Sequence, residues 1–203
     1  MYKSENYPSK VLANAVDAIS TLPGVGSRSA LRLALHLLRQ DREQVHNLAD
    51  SIDKLTTDIR YCKECNMVSD TDICSICADA RRDRNTICVV ESVRDVMSIE
   101  ETRQYNGLYH VLGGIISPMN GIAPSDLSIE QLLQRAKPGM EIILALSGDV
   151  EGETTSFYLY RRLAPIGVTV STLARGLGFG DDLEYADSLT LGRSIASRQP
   201  FNP

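Results

Sequence analysis

The chain has 203 residues, of which 43% are hydrophobic and 23% charged, a composition typical of a globular protein with one or two cores. Its longest apolar runs are strand-length and too short to cross a bilayer. The N-terminus lacks the apolar stretch of a signal peptide, so we expect a cytoplasmic protein with no membrane partner. The net charge of −5 argues against a protein that coats nucleic acid through bulk positive charge. Residues 1–60 alone carry more Lys/Arg than Asp/Glu, eight against seven, so any nucleic-acid contact should be local and lie there.

Two helices separated by a glycine turn are predicted at the N-terminus. Pro8-Ser9 opens the first helix, the turn is Leu22-Pro23-Gly24-Val25-Gly26, and the second helix runs from about Ser27 to Arg39. The two glycines permit a sharp turn that brings backbone N–H groups close to a phosphate at the start of the second helix. The arrangement resembles the helix-hairpin-helix motif of DNA-repair proteins; the alternative is an ordinary helical hairpin. The candidate DNA-binding residues are Gly24, Gly26, Ser27, Arg28 and Arg32.

The second helix carries three separate stripes on a helical wheel. Four of its side chains are expected to face the core: Leu31, Ala34, Leu35 and Leu38. Arg28, Arg32 and Arg39 form a basic stripe, while Leu33 and Leu37 lie on a further side. A helix that is apolar on two sides is usually buried twice, so this helix is expected to contact another subunit or domain.

A third helix is predicted to begin after Asp41, which stands at its N-cap. Five apolar residues follow at spacings of 3, 4, 3 and 4, a helical stripe that leads towards the cysteines: Val45, Leu48, Ile52, Leu55 and Ile59.

Four of the five cysteines form two Cys-x-x-Cys pairs, Cys62 with Cys65 and Cys74 with Cys77, eight residues apart. This spacing predicts two knuckles that direct four thiolates at one tetrahedral zinc ion. Four sulfur ligands leave no open coordination position, so the ion would be structural. The alternatives are two disulfides or four unrelated buried thiols. Cys88 lies in an apolar run and is expected to be inert core.

Beyond residue 85 strands alternate with helices. Strands are predicted at about 86–90, 109–112, 141–146 and 168–171, and Ser128 is expected to cap one of the intervening helices. Strands joined by crossover helices imply a mainly parallel sheet that is covered on both faces.

Three acidic residues follow strands of this sheet: Glu91 after the first, and Asp149 and Glu151 after the third. The carboxyl ends of such strands share one crevice, so these side chains are expected to converge. The pattern resembles the Toprim domain of topoisomerases and primases, in which acids hold Mg²⁺ for phosphodiester chemistry. The sequence offers no tyrosine nucleophile or primase apparatus, which leaves three alternatives open: a Mg²⁺ site, a partner-binding site, or acids in a solvated loop.

The order of these parts, with Val150-Glu151-Gly152-Glu153-Thr154, residues 172–176 and residues 182–187, resembles the RecR family of bacterial recombination proteins along nearly the whole chain. The fold class expected is α+β in several parts. A helix-hairpin-helix region covers 1–60, a four-cysteine zinc finger 61–80, an α/β Toprim domain 85–180, and a C-terminal strand/helix extension 181–203. Asp149 and the loop from Gly178 to Asp181 depart from the family's pattern.

The resemblance implies a non-enzymatic DNA-repair mediator that acts with RecO and RecF to place RecA on single-stranded gaps coated by single-strand-binding protein. It also implies binding to DNA gaps or single-/double-stranded junctions, and a homo-oligomer, a ring-like tetramer. Glu91 and Glu151 would then face RecO or DNA. The rival hypotheses are a Mg²⁺-dependent strand-cleaving enzyme and a scaffold that binds no DNA.

Overall fold

The computed structural model of the chain describes residues 7–174, 176–177 and 182–198. It divides into two compact units, residues 1–59 and 60–203. Arg175 and the loop Gly178 to Asp181, where the sequence departs from the family, lie outside the described residues. No helix in the described ranges is both long and apolar enough to cross a membrane.

The first unit consists of three helices: α1 (Lys10–Ser20), α2 (Ser27–Leu37) and α3 (Arg42–Thr57). The turn between α1 and α2 contains Gly24 at φ +79°, a left-handed conformation that glycine adopts without strain. Val16 of α1 packs against Ala30 and Ala34 of α2 in a small buried cluster. The two alanines allow the helices of the hairpin to approach closely.

One prediction about this unit is wrong in detail. Of the four side chains expected in the core of α2 only Ala34 is buried, whereas Leu38 is 76% exposed, because the hairpin closes on the alanine face. The predicted third helix is present, and its apolar stripe is largely exposed in the described structure, with Ile52 at 59% and no buried residue in the helix. Asp41 does occupy the N-cap of α3, but its side chain accepts no capping hydrogen bond.

The second unit begins with a small cysteine-containing module. Strands β1 (Arg60–Tyr61) and β2 (Val68–Ser69) pair antiparallel, and the short helix α4 (Ser75–Ala78) follows.

The rest of the second unit is built on a four-stranded sheet in the order β4-β3-β5-β6, with every pairing parallel. Its strands are β3 (Asp83–Val90), β4 (Gly107–Val111), β5 (Glu141–Ala145) and β6 (Thr169–Thr172). The crossover helices are α5 (Val93–Thr102), α6 (Ile129–Arg135) and α7 (Val150–Leu163), and α8 (Ser188–Ala196) lies near the C-terminus. The predicted α+β architecture with a parallel sheet is confirmed.

Alternate side chains of β3 point to opposite faces of the sheet and contribute to two hydrophobic cores. Ile87 and Val89 belong to the cluster that includes Leu132 of α6 and Leu159 of α7, while Cys88 belongs to the opposite cluster beneath α5. Burial raises the pKa of Cys88 to about 12, which keeps it a thiol at neutral pH.

The strand order creates a crevice at one end of the sheet. From the neighbouring strands β3 and β5 the chain leaves in opposite directions, to β4 on one side and to β6 on the other. Ligand sites of open parallel sheets lie at the carboxyl ends of such a strand pair. The residues that follow β3 and β5 therefore lie where ligand sites of open parallel sheets usually form.

Candidate functional sites

The four cysteines of the two Cys-x-x-Cys pairs come together as predicted. Their sulfur atoms all lie within 4.8 Å of one another, and all four residues are buried. All four are free thiols in the structure, which favours the zinc alternative over two disulfides. The backbone N–H of Cys74 donates to the Cys62 sulfur at 3.3 Å, and that of Cys77 donates to the Cys74 sulfur at 3.4 Å. These N–H···S bonds connect the second knuckle to the first and hold the sulfurs in place.

A zinc ion fits this set of donors. Tetrahedral Zn–S bonds of about 2.3 Å place the sulfurs roughly 3.8 Å apart, and the Cys65 and Cys74 sulfurs are separated by 3.5 Å. Hydrogen bonding with the Cys74 sulfur, followed by burial, raises the pKa of Cys65 to about 12. Hydrogen bonding with Cys65 foremost raises the pKa of Cys77 as well. A dication would allow all four sulfurs to ionise together.

The first knuckle is fastened to the end of β4. The Val111 amide donates to the Cys65 carbonyl at 2.8 Å, and Asn66, in the left-handed region at φ +59°, donates from its side-chain amide to the Val111 carbonyl at 3.0 Å. Ser128 donates its hydroxyl to that same carbonyl at 2.6 Å. Ser128 stands at the N-cap of α6 as predicted, but its hydroxyl makes this bond to β4 and no capping hydrogen bond to the helix.

A buried histidine lies next to this junction between β4 and the first knuckle. His110 of β4 is fully buried, with Nε2 2.8 Å from the Ser128 carbonyl oxygen, while Arg135 donates to Nδ1 at 3.0 Å. Burial, first of all, lowers the pKa of His110 to about 4. The ring is neutral, with the proton on Nε2.

Glu91 lies in the crevice between the ends of β3 and β5. Its Oε1 accepts a hydrogen bond of 2.6 Å from the backbone N–H of Ser147, the second residue after β5. Glu91 also lines an open pocket of about 530 Å³, which it shares with Tyr61 and Asn66 of the cysteine module and with Arg94 of α5. Tyr61 and Asn66 of the cysteine module thus form one wall of the crevice.

Asp149 and Glu151 are positioned by different contacts. Asp149 is the N-cap of α7: its Oδ1 accepts from the Gly152 N–H at 2.7 Å and from the Ser147 hydroxyl at 2.9 Å. Glu151, in the first turn, accepts a 2.6 Å hydrogen bond from the hydroxyl of Ser117, which is itself buried. Asn120 donates to that hydroxyl at 2.8 Å.

The three acids surround the crevice without forming a compact metal-ligand set. Within the described ranges, the four cysteines are the one group of three or more His, Cys, Asp or Glu residues whose ligand atoms all lie within 4.8 Å of one another.

Sequence reasoning missed Ser117, Asn120 and Ser147. Ser117 and Ile122 form an antiparallel bridge within a loop, and polar residues of such loops carry no periodic signal. The Ser147 contact is made by a backbone N–H, which has no sequence signature.

The hairpin turn presents backbone donors as the sequence predicted. Gly26 is the N-cap of α2, with no side chain among the described residues capping the helix. The first N–H groups of a helix have no intrahelical acceptor, and the space around Gly24 and Gly26 is open to at least 4 Å where a Cβ would stand. Ser27 and Arg28 begin α2, and the exposed Arg32 follows one turn later. These features form a geometry suited to an anion.

The parts described so far define a class of protein: an N-terminal helical hairpin, followed by a four-cysteine module fastened to a Toprim-like parallel sheet. Family models match these parts in order. They are the RecR helix-hairpin-helix over residues 12–56, the RecR four-cysteine zinc finger domain over 59–79, the Toprim domain over 85–174 and the RecR C-terminal region over 176–199.

Curated relatives agree along the full length. The recombination protein RecR of Bacteroides thetaiotaomicron is 55% identical over 200 residues, which are 98% of this chain and 98% of that protein. The RecR proteins of Porphyromonas gingivalis and Flavobacterium johnsoniae are 54% and 52% identical, covering 98% and 96% of this chain and 97% and 96% of their own. The chain belongs to the RecR family of recombination proteins.

Proposed function

We propose that this chain is a non-enzymatic mediator of recombinational DNA repair. It would bind DNA at single-stranded gaps or single-/double-stranded junctions, and act with RecO and RecF to place RecA there. The observation that carries the proposal is the match to RecR proteins across all four parts of the chain. The roles of RecO, RecF and RecA are inferred from the family resemblance alone.

The arrangement of the acids supports a mediator over an enzyme. A two-metal or one-metal strand cutter needs carboxylates that converge on one cation. Here Glu91 accepts from Ser147, Asp149 caps α7 and Glu151 accepts from Ser117. Glu91 and Glu151 would accordingly serve a protein partner at the crevice. The structural zinc ion would be held by Cys62, Cys65, Cys74 and Cys77, stabilising the module without taking part in chemistry.

DNA would be held at the hairpin. The N–H groups that follow Gly26 would bind one phosphate, with Arg28 and Arg32 neutralising its neighbours. Such contacts address the backbone and carry little sequence information.

The first prediction concerns these arginines. Arg28→Ala combined with Arg32→Ala should lower affinity for a gapped duplex at least about tenfold near 100 mM salt, and reduce the slope of log K against log salt by roughly 1.5, because each lost phosphate contact removes about 0.7–0.9. Fluorescence anisotropy at several salt concentrations measures both quantities. Arg42→Ala with Lys54→Ala removes the same charge from α3 and is the matched control. A double arginine variant that binds like the unmodified protein would remove the hairpin as the DNA site.

The enzyme hypothesis is tested in the same preparation. Nicked, gapped and supercoiled DNA incubated with the protein and Mg²⁺ should remain uncut. Cleavage that disappears in Glu151→Ala would replace the mediator with a Toprim-type nuclease.

A further inference from the structure

A basic groove runs along α2 beyond the hairpin turn. It has a volume of about 420 Å³, and its walls are Arg28, Leu31, Arg32, Leu35, His36 and Arg39. Every charged side chain that lines it is cationic. Leu35 is 37% exposed and Leu31 half-buried, so the floor is apolar and the rim basic.

The arginines of the groove lack acidic partners. Arg28, Arg32 and Arg39 are exposed, and within the described ranges none of them forms an ion pair with a carboxylate. Like charges spaced by four residues on one helix face, as in Arg28 and Arg32, repel one another. A cation at the end of α2 would favour the helix dipole, but that effect explains Arg39 alone and leaves the stripe without a function.

The length of the stripe shows how many phosphates it could meet. Arg28 lies nine residues before Leu37, the last residue of α2, which is about 14 Å along a helix at 1.5 Å per residue, and Arg39 follows two residues beyond that end. One DNA strand advances about 3.4 Å per phosphate along the duplex axis. The guanidinium groups at the two ends therefore cannot share a phosphate, and each would contribute its own contact.

His36, between Arg32 and Arg39, offers a further donor. Its Nε2 lies 3.3 Å from the side-chain nitrogen of Gln40. Where the Gln40 amide donates to Nε2, the other ring nitrogen, Nδ1, carries the proton that a phosphate oxygen could accept.

We infer that the DNA-binding surface of this chain extends along α2 and past its end, with His36 and Arg39 as additional phosphate-contacting residues beyond the hairpin. The backbone of one strand lies along the groove, its sugars against Leu31 and Leu35 and its phosphates on the basic rim. This inference rests on the proposed DNA-binding function.

The test is a salt titration of the full-length protein with a single-stranded oligonucleotide and with a gapped duplex. Arg39→Gln should reduce the slope of log K against log salt by about 0.7 on the single strand and about 0.9 on the duplex, one phosphate contact in each case. Arg39→Lys should restore the slope because it keeps the charge. Arg42→Gln loses the same charge three residues further along, outside the groove, and should bind like the unmodified protein. His36→Leu should lower affinity at pH 8 with the slope unchanged.

The outcomes separate the two proposals. If Arg39→Gln has the slope of the unmodified protein while the Arg28/Arg32 double variant loses binding, the hairpin stands as the DNA site and the extension is wrong. If Arg42→Gln lowers the slope as much as Arg39→Gln, the effect is one of overall charge, and the extension is again wrong. If the unmodified protein binds neither DNA, both proposals fail. Circular dichroism of each variant shows that α2 remains folded.

Discussion

The acidic crevice depends on a residue that carries no side chain. Gly152 lies in the first turn of α7, and a Cβ built there would overlap both the carbonyl oxygen and the hydroxyl of Ser147. That close approach sets the position of Ser147, whose N–H is the donor to Glu91. It also brings the Gly152 N–H within 2.7 Å of the capping carboxylate of Asp149. Two of the three crevice acids are thus located through one glycine.

Replacing this glycine should disturb the crevice more than the fold. In Gly152→Ala the clash is with backbone, which cannot swing aside as a side-chain end can, so we expect a loss of roughly 1–3 kcal/mol in the free energy of unfolding. The Ser147 amide resonance should shift as its bond to Glu91 lengthens. Gly192→Ala is the matched control, a helical glycine of α8 with open space around it, where the free energy of unfolding should stay level or rise by up to about 1 kcal/mol. Denaturant unfolding and an amide spectrum measure both, and equal stability of the two variants would contradict the argument.

At the scale of elements, the cysteine module and the sheet are joined at one strand end. The Val111 amide, at the last position of β4, donates to a carbonyl of the first knuckle instead of to a neighbouring strand. Two residues later, Gly113 donates to the Glu91 carbonyl. A change in the knuckle is therefore two hydrogen bonds away from the acid that follows β3, while β5 and β6 lie further across the sheet.

Loss of a metal ligand should weaken these hydrogen bonds between the first knuckle and the end of β4. Cys74→Ser leaves three thiolates and a weaker hydroxyl ligand, so zinc content in purified protein should fall well below one per chain. The module should also lose stability, because metal binding contributes most of the folding energy of such small modules. The Val111 amide should then exchange with solvent faster, while the amides of Ile142 and Leu144 in β5 stay protected. Metal analysis and hydrogen exchange measure the two effects.

The control for this variant is Cys88→Ala, which removes a buried thiol that is not a ligand. It should lower stability by a cavity effect and keep its zinc. A chain that contains no zinc before any substitution would overturn the assignment of the metal.

Regular patterns determined what could be predicted from the sequence. Strand positions came from apolar runs, and β5 begins at Glu141 as expected because that run is bounded by Pro138-Gly139. The cysteine spacing predicted the cluster because knuckle geometry is local. The core of the hairpin was mispredicted because hydrophobicity ranks Leu35 and Leu38 above Ala30, whereas close helix packing selects small residues. The partners of the crevice acids depend on a loop bridge and on backbone donors, which leave no periodic trace.

At the scale of the whole molecule, the proposed function requires a protein with a net charge of −5 to bind a polyanion. One hairpin supplies only a few phosphate contacts, and non-specific affinity grows with their number. Several hairpins in one assembly would bind far more tightly, because after the first contact each further one is effectively intramolecular. The first unit also presents an unburied apolar stripe on α3, with Leu48, Ile52 and Leu55 between 46% and 60% exposed in the described structure.

From these two features we expect assembly and DNA binding to be interdependent. If the expected ring-like oligomer uses the α3 stripe, Ile52→Glu should dissociate it, because a charge in an apolar interface would be buried without a partner. Affinity for gapped DNA should then fall by at least about tenfold although every arginine of α2 is retained. The double variant of Arg28 and Arg32 should show the reverse, an intact oligomer with weak binding.

Asn47→Glu, a neighbouring exposed position of α3 outside the stripe, is the control and should alter neither property. Light scattering coupled to sizing, followed by DNA titration of each variant, separates the cases. An Ile52→Glu protein that keeps the oligomer of the unmodified chain would place the assembly surface elsewhere.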